Sequence, residues 1–196
     1  MTAVWVIVAI VVLIGLYLAY RYNRLIRLRN RTQEAWSDID VELKRRHDLI
    51  PNLVSTVQGY AAHERQVFEN VTAARAQAVS AAQTGNPAAM APAEDALTAS
   101  VRQLMAVAES YPQLRAAELF LNLQEQLTTT EDKVEFARRF YNGNVRDFNT
   151  ALQRFPTNII GRSLHFEPFA FFAAAESDRT VPTAQFASTA PPSSAT

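Results

Sequence analysis

Charged and apolar positions divide this chain at Tyr20. Residues Met1 to Tyr20 carry no charged side chain, and the run Val4-Trp-Val-Ile-Val-Ala-Ile-Val-Val-Leu-Ile-Gly-Leu-Tyr-Leu-Ala-Tyr20 is almost wholly apolar. A helix of about 20 such residues spans the hydrocarbon layer of a bilayer. Trp5 lies near one end of the run and Tyr17 and Tyr20 near the other, where aromatic belts form. A cleaved signal peptide fits poorly, because no Lys or Arg precedes the run and its end offers no small-x-small cleavage site. Beyond the run the apolar positions Leu25, Leu28, Thr32, Trp36, Ile39 and Leu43 recur at spacings of three and four, which is one stripe of a helix. Thr32 is its weak point. Arg31, Glu34, Asp38, Glu42 and Arg45 take the opposite face, and Glu42 with Arg46 forms an i,i+4 pair in the favoured order. With no breaker in between, the anchor is expected to run straight into the first helix of a bundle.

The pattern predicts where this helix ends and others begin. In His47-Asp-Leu-Ile-Pro-Asn52, Asp48 is a good N-cap and Pro51 falls in the first turn of a new helix. A continuous helix kinked at Pro51 is the alternative. The second helix carries Leu53, Val57, Tyr60, Val67, Val71 and Ala78, and Gln83 to Pro92 reads as a loop. The third, with Leu97, Val101, Leu104 and Ala108, is interrupted by Pro112 and resumes through Leu127. Thr128-Thr-Thr-Glu131 predicts a cap and a fourth helix from near Thr130, with the stripe Val134, Ala137, Tyr141, Val145 and Phe148. The fold class expected is therefore all-α: a transmembrane helix continuous with an antiparallel, four-helix up-and-down bundle. Residues 1–21 form the anchor and 22–155 the bundle. Residues 156–175 form an apolar segment that packs on the bundle or on the membrane, and 176–196 a disordered tail rich in Ser, Thr and Pro.

Charge adds an orientation. Arg21, Arg24, Arg27, Arg29 and Arg31 follow the span and none precedes it, so the positive-inside rule places the bundle in the cytoplasm and the N-terminus outside. The same arginines are suited to anionic headgroups. Overall, 19 basic residues balance 19 acidic ones, which gives no ground for nucleic-acid binding. The absence of cysteine excludes disulfides, thiolate metal sites and thiol catalysis.

Candidate chemistry is sparse. His63-Glu64 starts like a zinc-protease motif, but Val67 stands where the second histidine belongs. No Glu-x-x-His pair, Gly-rich phosphate loop or Gly-x-Ser-x-Gly elbow is present. The notable feature is polar density at two places: Arg45, Arg46, His47 and Asp48 with Asn52, and Arg138, Arg139, Asn142 and Asp147 around an apolar stripe. Their expected role is a polar network that sets packing register, with a small-ligand pocket as the sharper alternative.

These segments resemble the LemA family of bacterial membrane proteins. The resemblance rests on Tyr22-Asn-Arg-Leu-Ile-Arg-Leu-Arg-Asn30, on Ala35-Trp-Ser-Asp-Ile-Asp-Val-Glu-Leu-Lys-Arg-Arg-His-Asp-Leu-Ile-Pro-Asn-Leu-Val54, on Gly59-Tyr-Ala-Ala-His-Glu64, on Ala108-Glu-Ser-Tyr-Pro112 and on Phe136-Ala-Arg-Arg-Phe-Tyr-Asn142. Phe155-Pro-Thr-Asn158 and Phe171-Phe172 match as well. It implies a short external N-terminus, one helix across the bacterial inner membrane and a cytoplasmic helical bundle, with no reaction attached. Gly143-Asn144 and Gly161-Arg-Ser-Leu-His165 depart from the usual pattern.

The functional expectation is a non-enzymatic scaffold or interaction module, without cofactor or metal, that works at the lipid bilayer with a protein partner or a second copy of itself. A lipid or envelope-stress sensor, or a small-ligand binder at the polar clusters, is the alternative.

Overall fold

The computed structural model describes residues 1–172. The tail proposed for 176–196 lies outside them. The described residues form six helices: α1 Thr2–Gln58, α2 Arg65–Gln83, α3 Pro87–Glu109, α4 Pro112–Arg115, α5 Glu118–Gln153 and α6 Thr157–Ser163. Among these residues there is no strand, and the all-α expectation holds.

α1 is the spine. Its 57 residues give a rod of about 85 Å at 1.5 Å per residue. Every residue from 1 to 20 is exposed, and this part alone among the described helices is long and apolar enough to cross a membrane. The stripe then turns inward: Leu25, Thr32, Ile39 and Leu43 are buried. Thr32 is no flaw, because its hydroxyl donates to the Leu28 carbonyl oxygen at 2.9 Å and so brings its own partner into the core.

The helix does not break at Asp48. It continues through Pro51 to Gln58, as in the kinked alternative, and the turn falls at residues 59–64. Proline removes the N–H that would bond the carbonyl four residues back, which is that of His47. Arg75 of α2 supplies the missing donor, with its Nε 2.6 Å from the His47 carbonyl oxygen. A tertiary contact therefore offsets the main cost of proline inside the helix.

Three further boundaries differ from expectation. α3 begins at Pro87, inside the supposed loop; Asn86 caps it by accepting the Ala88 N–H at 3.0 Å, and Pro87 occupies the first turn, where a missing N–H costs little. The chain reverses around Pro112, and α5 starts at Glu118. No helix starts near Thr130. Thr128 and Thr130 instead donate back to the Gln124 and Gln126 carbonyl oxygens, a use of threonine that leaves α5 intact.

α5 returns antiparallel along α1. Trp36 packs on Tyr141 with tilted rings, centroids 5.2 Å apart, and nearer the apolar run Tyr22 meets Phe166 at 6.4 Å. The α2–α3 hairpin covers the far end of α1. One core there gathers Ile50, Leu53, Val57, Val71, Leu97 and Leu104, and a second, between α1 and α5, gathers Ala35, Ile39, Leu43, Tyr141, Val145 and Phe172.

The C-terminal segment packs on the bundle as far as it is described. Asn149 exchanges two hydrogen bonds with the backbone of Phe169, at 2.9 and 3.0 Å. Asn142 does the same with Phe172, both at 2.9 Å. Residues 166–172 thus form a strap along α5: seven helical residues advance about 10.5 Å, and three extended residues about 10 Å, so the two asparagines match its repeat. Phe169 and Phe172 then fill the second core. α6 crosses α5 closely at Gly161, where a β-carbon would stand 2.8 Å from Leu152 Cδ2.

Candidate functional site

Two places in the bundle combine unusual chemistry with defined geometry: a buried charge cluster and an exposed aromatic groove.

The buried cluster grows from Arg46 and His47, consecutive on α1 and both turned inward, with 3% and 5% exposure. Opposite them Glu94 of α3 is 5% exposed. Arg46 Nη1 meets Glu94 Oε2 at 3.1 Å, and His47 Nε2 meets Glu94 Oε1 at 2.7 Å. Arg46 Nη2 also donates to Thr98 Oγ1 at 2.6 Å and to Glu131 Oε1 at 3.2 Å. One carboxylate thus serves two donors from α1, and one guanidinium ties α1 to α3 and α5. Burying a charge costs several kcal/mol unless it is paired, so the cluster stands or falls together. Apart from Arg46 Nε, which is buried without a hydrogen-bond partner, its donors and acceptors are turned on one another, which is the arrangement of a packing lock.

The sequence clusters divide accordingly. Arg46 and His47 belong to the lock, whereas Arg45, Asp48 and Asn52 are exposed on other faces of α1. The segment 47–52 is not a helix junction, and Glu42 pairs with Lys133 of α5 at 3.9 Å rather than with Arg46. Arg138 comes to the lock's edge, 3.6 Å from Asp95 and 4.9 Å from the Phe172 ring centre. Arg139 is exposed in an i,i+4 pair with Glu135 at 3.3 Å, and Asn142 holds the strap. Asp147 is exposed near Arg21 and Arg24.

Glu94, the centre of the lock, was missed. Its signal is positional: it occupies the same stripe as Ala91, Leu97, Val101 and Leu104, where a lone acid implies a buried base.

The groove lies between α1 and α5 on the outer face. Val41, Phe136 and Phe140 are 61%, 66% and 51% exposed, and the two phenylalanine rings are stacked with planes 4° apart. They line a cavity of about 550 Å³ rimmed by Asp38, Glu42, Asp132 and Lys133. Among the described residues Glu42 Oε2 is buried without a hydrogen-bond partner. The groove is an apolar floor with a net acidic edge and an unused acceptor. Phe136 and Phe140 were missed as a site; the signal that could have found them is that they stand one turn apart off the Val134–Ala137–Tyr141 stripe.

Of the five arginines after the span, Arg21 donates to Thr157 Oγ1 at 3.1 Å and Arg29 lies 5.7 Å from the Phe166 ring centre. Arg24, Arg27 and Arg31 are exposed.

The LemA family model matches residues 35–186. The chain is 27% identical to Protein LemA of Metamycoplasma hominis over 160 residues, covering 81% of this chain and 72% of that protein. It is 24% identical to Magnetosome protein MamQ 2 of Paramagnetospirillum magneticum and 22% identical to Magnetosome protein MamQ of Magnetospirillum gryphiswaldense. Each of these two alignments covers 79% of this chain and 65% of the relative, so the chain spans just under two thirds of those relatives' length.

Proposed function

The chain belongs to the LemA family, and from that premise we propose that it is a membrane-held docking module whose working surface is the Val41–Phe136–Phe140 groove. The partner is a helical segment of another protein, apolar on one face and flanked by Lys or Arg. The exposed, stacked phenylalanines carry the proposal. Large aromatic pairs left in water beside an acidic rim are the profile of an interaction hot spot, and amphipathic helices seat in such grooves through anchors one turn apart. Three acids against the single cation Lys133 on the rim favour a cationic flank.

Residues 2–20 are the anchor in this reading, in a bacterial inner membrane. The arginines after them favour a cytoplasmic bundle. Val41 then stands about 30 Å along α1 from Arg21, beyond the headgroups and in reach of a second protein. The lock and the strap keep the groove's two helices in register, a structural duty that involves no reaction.

A photo-crosslinking phenylalanine analogue at position 136 of the full-length chain, irradiated in native membranes, tests this. Sequencing of the product should give an amphipathic segment of another protein with basic flanks. A product joining two copies of this chain would make the groove a self-association surface. No product at 136 or 140 would remove the proposal.

A further inference from the structure

The end of the bundle nearest the span has a composition of its own. α6 is tied to α1 at the first charged residue after the apolar run, through the Arg21 Nε to Thr157 Oγ1 hydrogen bond of 3.1 Å. If residues 2–20 lie in the bilayer, α6 lies at headgroup height. Arg21 and Arg24 of α1 and Arg154 after α5 line a cavity of about 190 Å³ there, with Thr157 at its wall and Asp147 as its one acid. Three guanidiniums face one carboxylate. In the adjoining stretch of chain, between the end of α5 and the end of α6, Phe155, Ile159 and Leu164 are 78%, 56% and 52% exposed. In water such a mixture is costly. At a membrane surface it is favourable, since apolar side chains enter the acyl boundary while arginines meet phosphate.

We propose that this end of the bundle is a seat for anionic phospholipid: the Arg21–Arg24–Arg154 cavity takes a headgroup phosphodiester, and Phe155, Ile159 and Leu164 dip beside it. The proposal rests on residues 2–20 being the anchor. It makes the bundle doubly held, by the span and by the seat, which fixes the direction in which the Phe136 groove faces. Planar guanidinium forks suit phosphate oxygens. A free anion satisfies the arginines but leaves the three apolar side chains in water.

The chain has no cysteine, so single environment-sensitive labels can be placed on Leu13→Cys, Ile159→Cys and Gln66→Cys in the full-length protein. Each variant is reconstituted in nanodiscs of phosphatidylcholine with or without phosphatidylglycerol, with a nitroxide lipid quencher. The label at 13 should be quenched in both lipids and the label at 66 in neither. The label at 159 should be quenched strongly in phosphatidylglycerol discs and weakly in phosphatidylcholine alone. Arg154→Gln should lower the seated-to-unseated ratio about fivefold, and Arg154→Lys should restore most of it. Inorganic phosphate added to phosphatidylcholine discs should not move the label at 159; if it seats the bundle as well as phosphatidylglycerol does, the lipid assignment is overturned. Quenching at 13 with none at 159 in anionic discs overturns the seat and spares the anchor. No quenching at 13 overturns both.

Discussion

Arg46 and Glu94 lie 48 residues apart in sequence and 3.1 Å apart in the interior, each almost fully buried. Their value is in register. Removing one member strands the other, so Glu94→Leu should destabilise the bundle by about 3–5 kcal/mol. The double variant Arg46→Met/Glu94→Leu should recover part of that, because it removes the stranded guanidinium and Glu131, 42% exposed, can turn to water, while His47 stays without its Glu94 partner in both variants. Chemical denaturation of the four proteins of the cycle checks this; a double variant less stable than Glu94→Leu would contradict it.

Arg75 and Pro51 should be coupled through the His47 carbonyl. In the natural chain Arg75→Met leaves that carbonyl short of a donor and should cost about 1–3 kcal/mol. In a Pro51→Ala background the new Ala N–H can make the helical bond, and the same arginine change should cost much less. Equal costs in both backgrounds would show that Arg75 acts by packing alone.

The two asparagines of α5 hold separate points of the strap. Asn149→Ala should speed hydrogen exchange at the Phe169 amide and cost about 1–3 kcal/mol, while the Phe172 amide stays slow until Asn142 is also replaced. Simultaneous release of both amides by Asn149→Ala would mean that the strap lifts as one unit.

Tyr141 couples the strap to pH. Burial pushes its phenol from 10.0 up to about 12, and the hydroxyl donates to the Ala170 carbonyl oxygen at 2.8 Å. The unfolded chain releases this proton near pH 10. Between pH 10 and 12 the folded protein therefore holds a proton that the unfolded one has lost. The stabilisation is complete below about pH 10 and declines as pH rises toward 12, by at most about 1.4 kcal/mol per unit. Tyr141→Phe should flatten that alkaline decline relative to the natural chain. Parallel stability curves for the two proteins between pH 10 and 12 would refute the assignment.

The apolar stripes, the apolar first part of α1 and the helix-only architecture could be read from the sequence pattern, since burial of one helix face leaves its mark at every third or fourth residue. The positions of the turns could not. Asp48–Pro51 and Thr128–Thr130 carry the local chemistry of helix starts, yet Arg75 stands in for the donor proline lacks and the threonines bond backward. In each case a partner chosen by the fold overrides a local preference. The two charge clusters were visible as dense polar runs. What was hidden is that Arg46 and His47 share one carboxylate, Glu94, from a helix whose start had been taken for a loop. The groove was visible in principle at Phe136 and Phe140, but their exposure depends on where α1 lies.

In the proposed function, the continuity of α1 from the apolar run into the bundle is what makes the anchor a rigid support for the groove. Spin labels on Leu13→Cys and Ser37→Cys in the full-length chain, in nanodiscs, measure it by dipolar spectroscopy. A continuous helix places these sites 24 residues, or about 36 Å, apart, and the distance distribution should be narrow around that value. A broad distribution centred well short of it would mean that the chain bends freely after Tyr20 and that the bundle hangs on a leash.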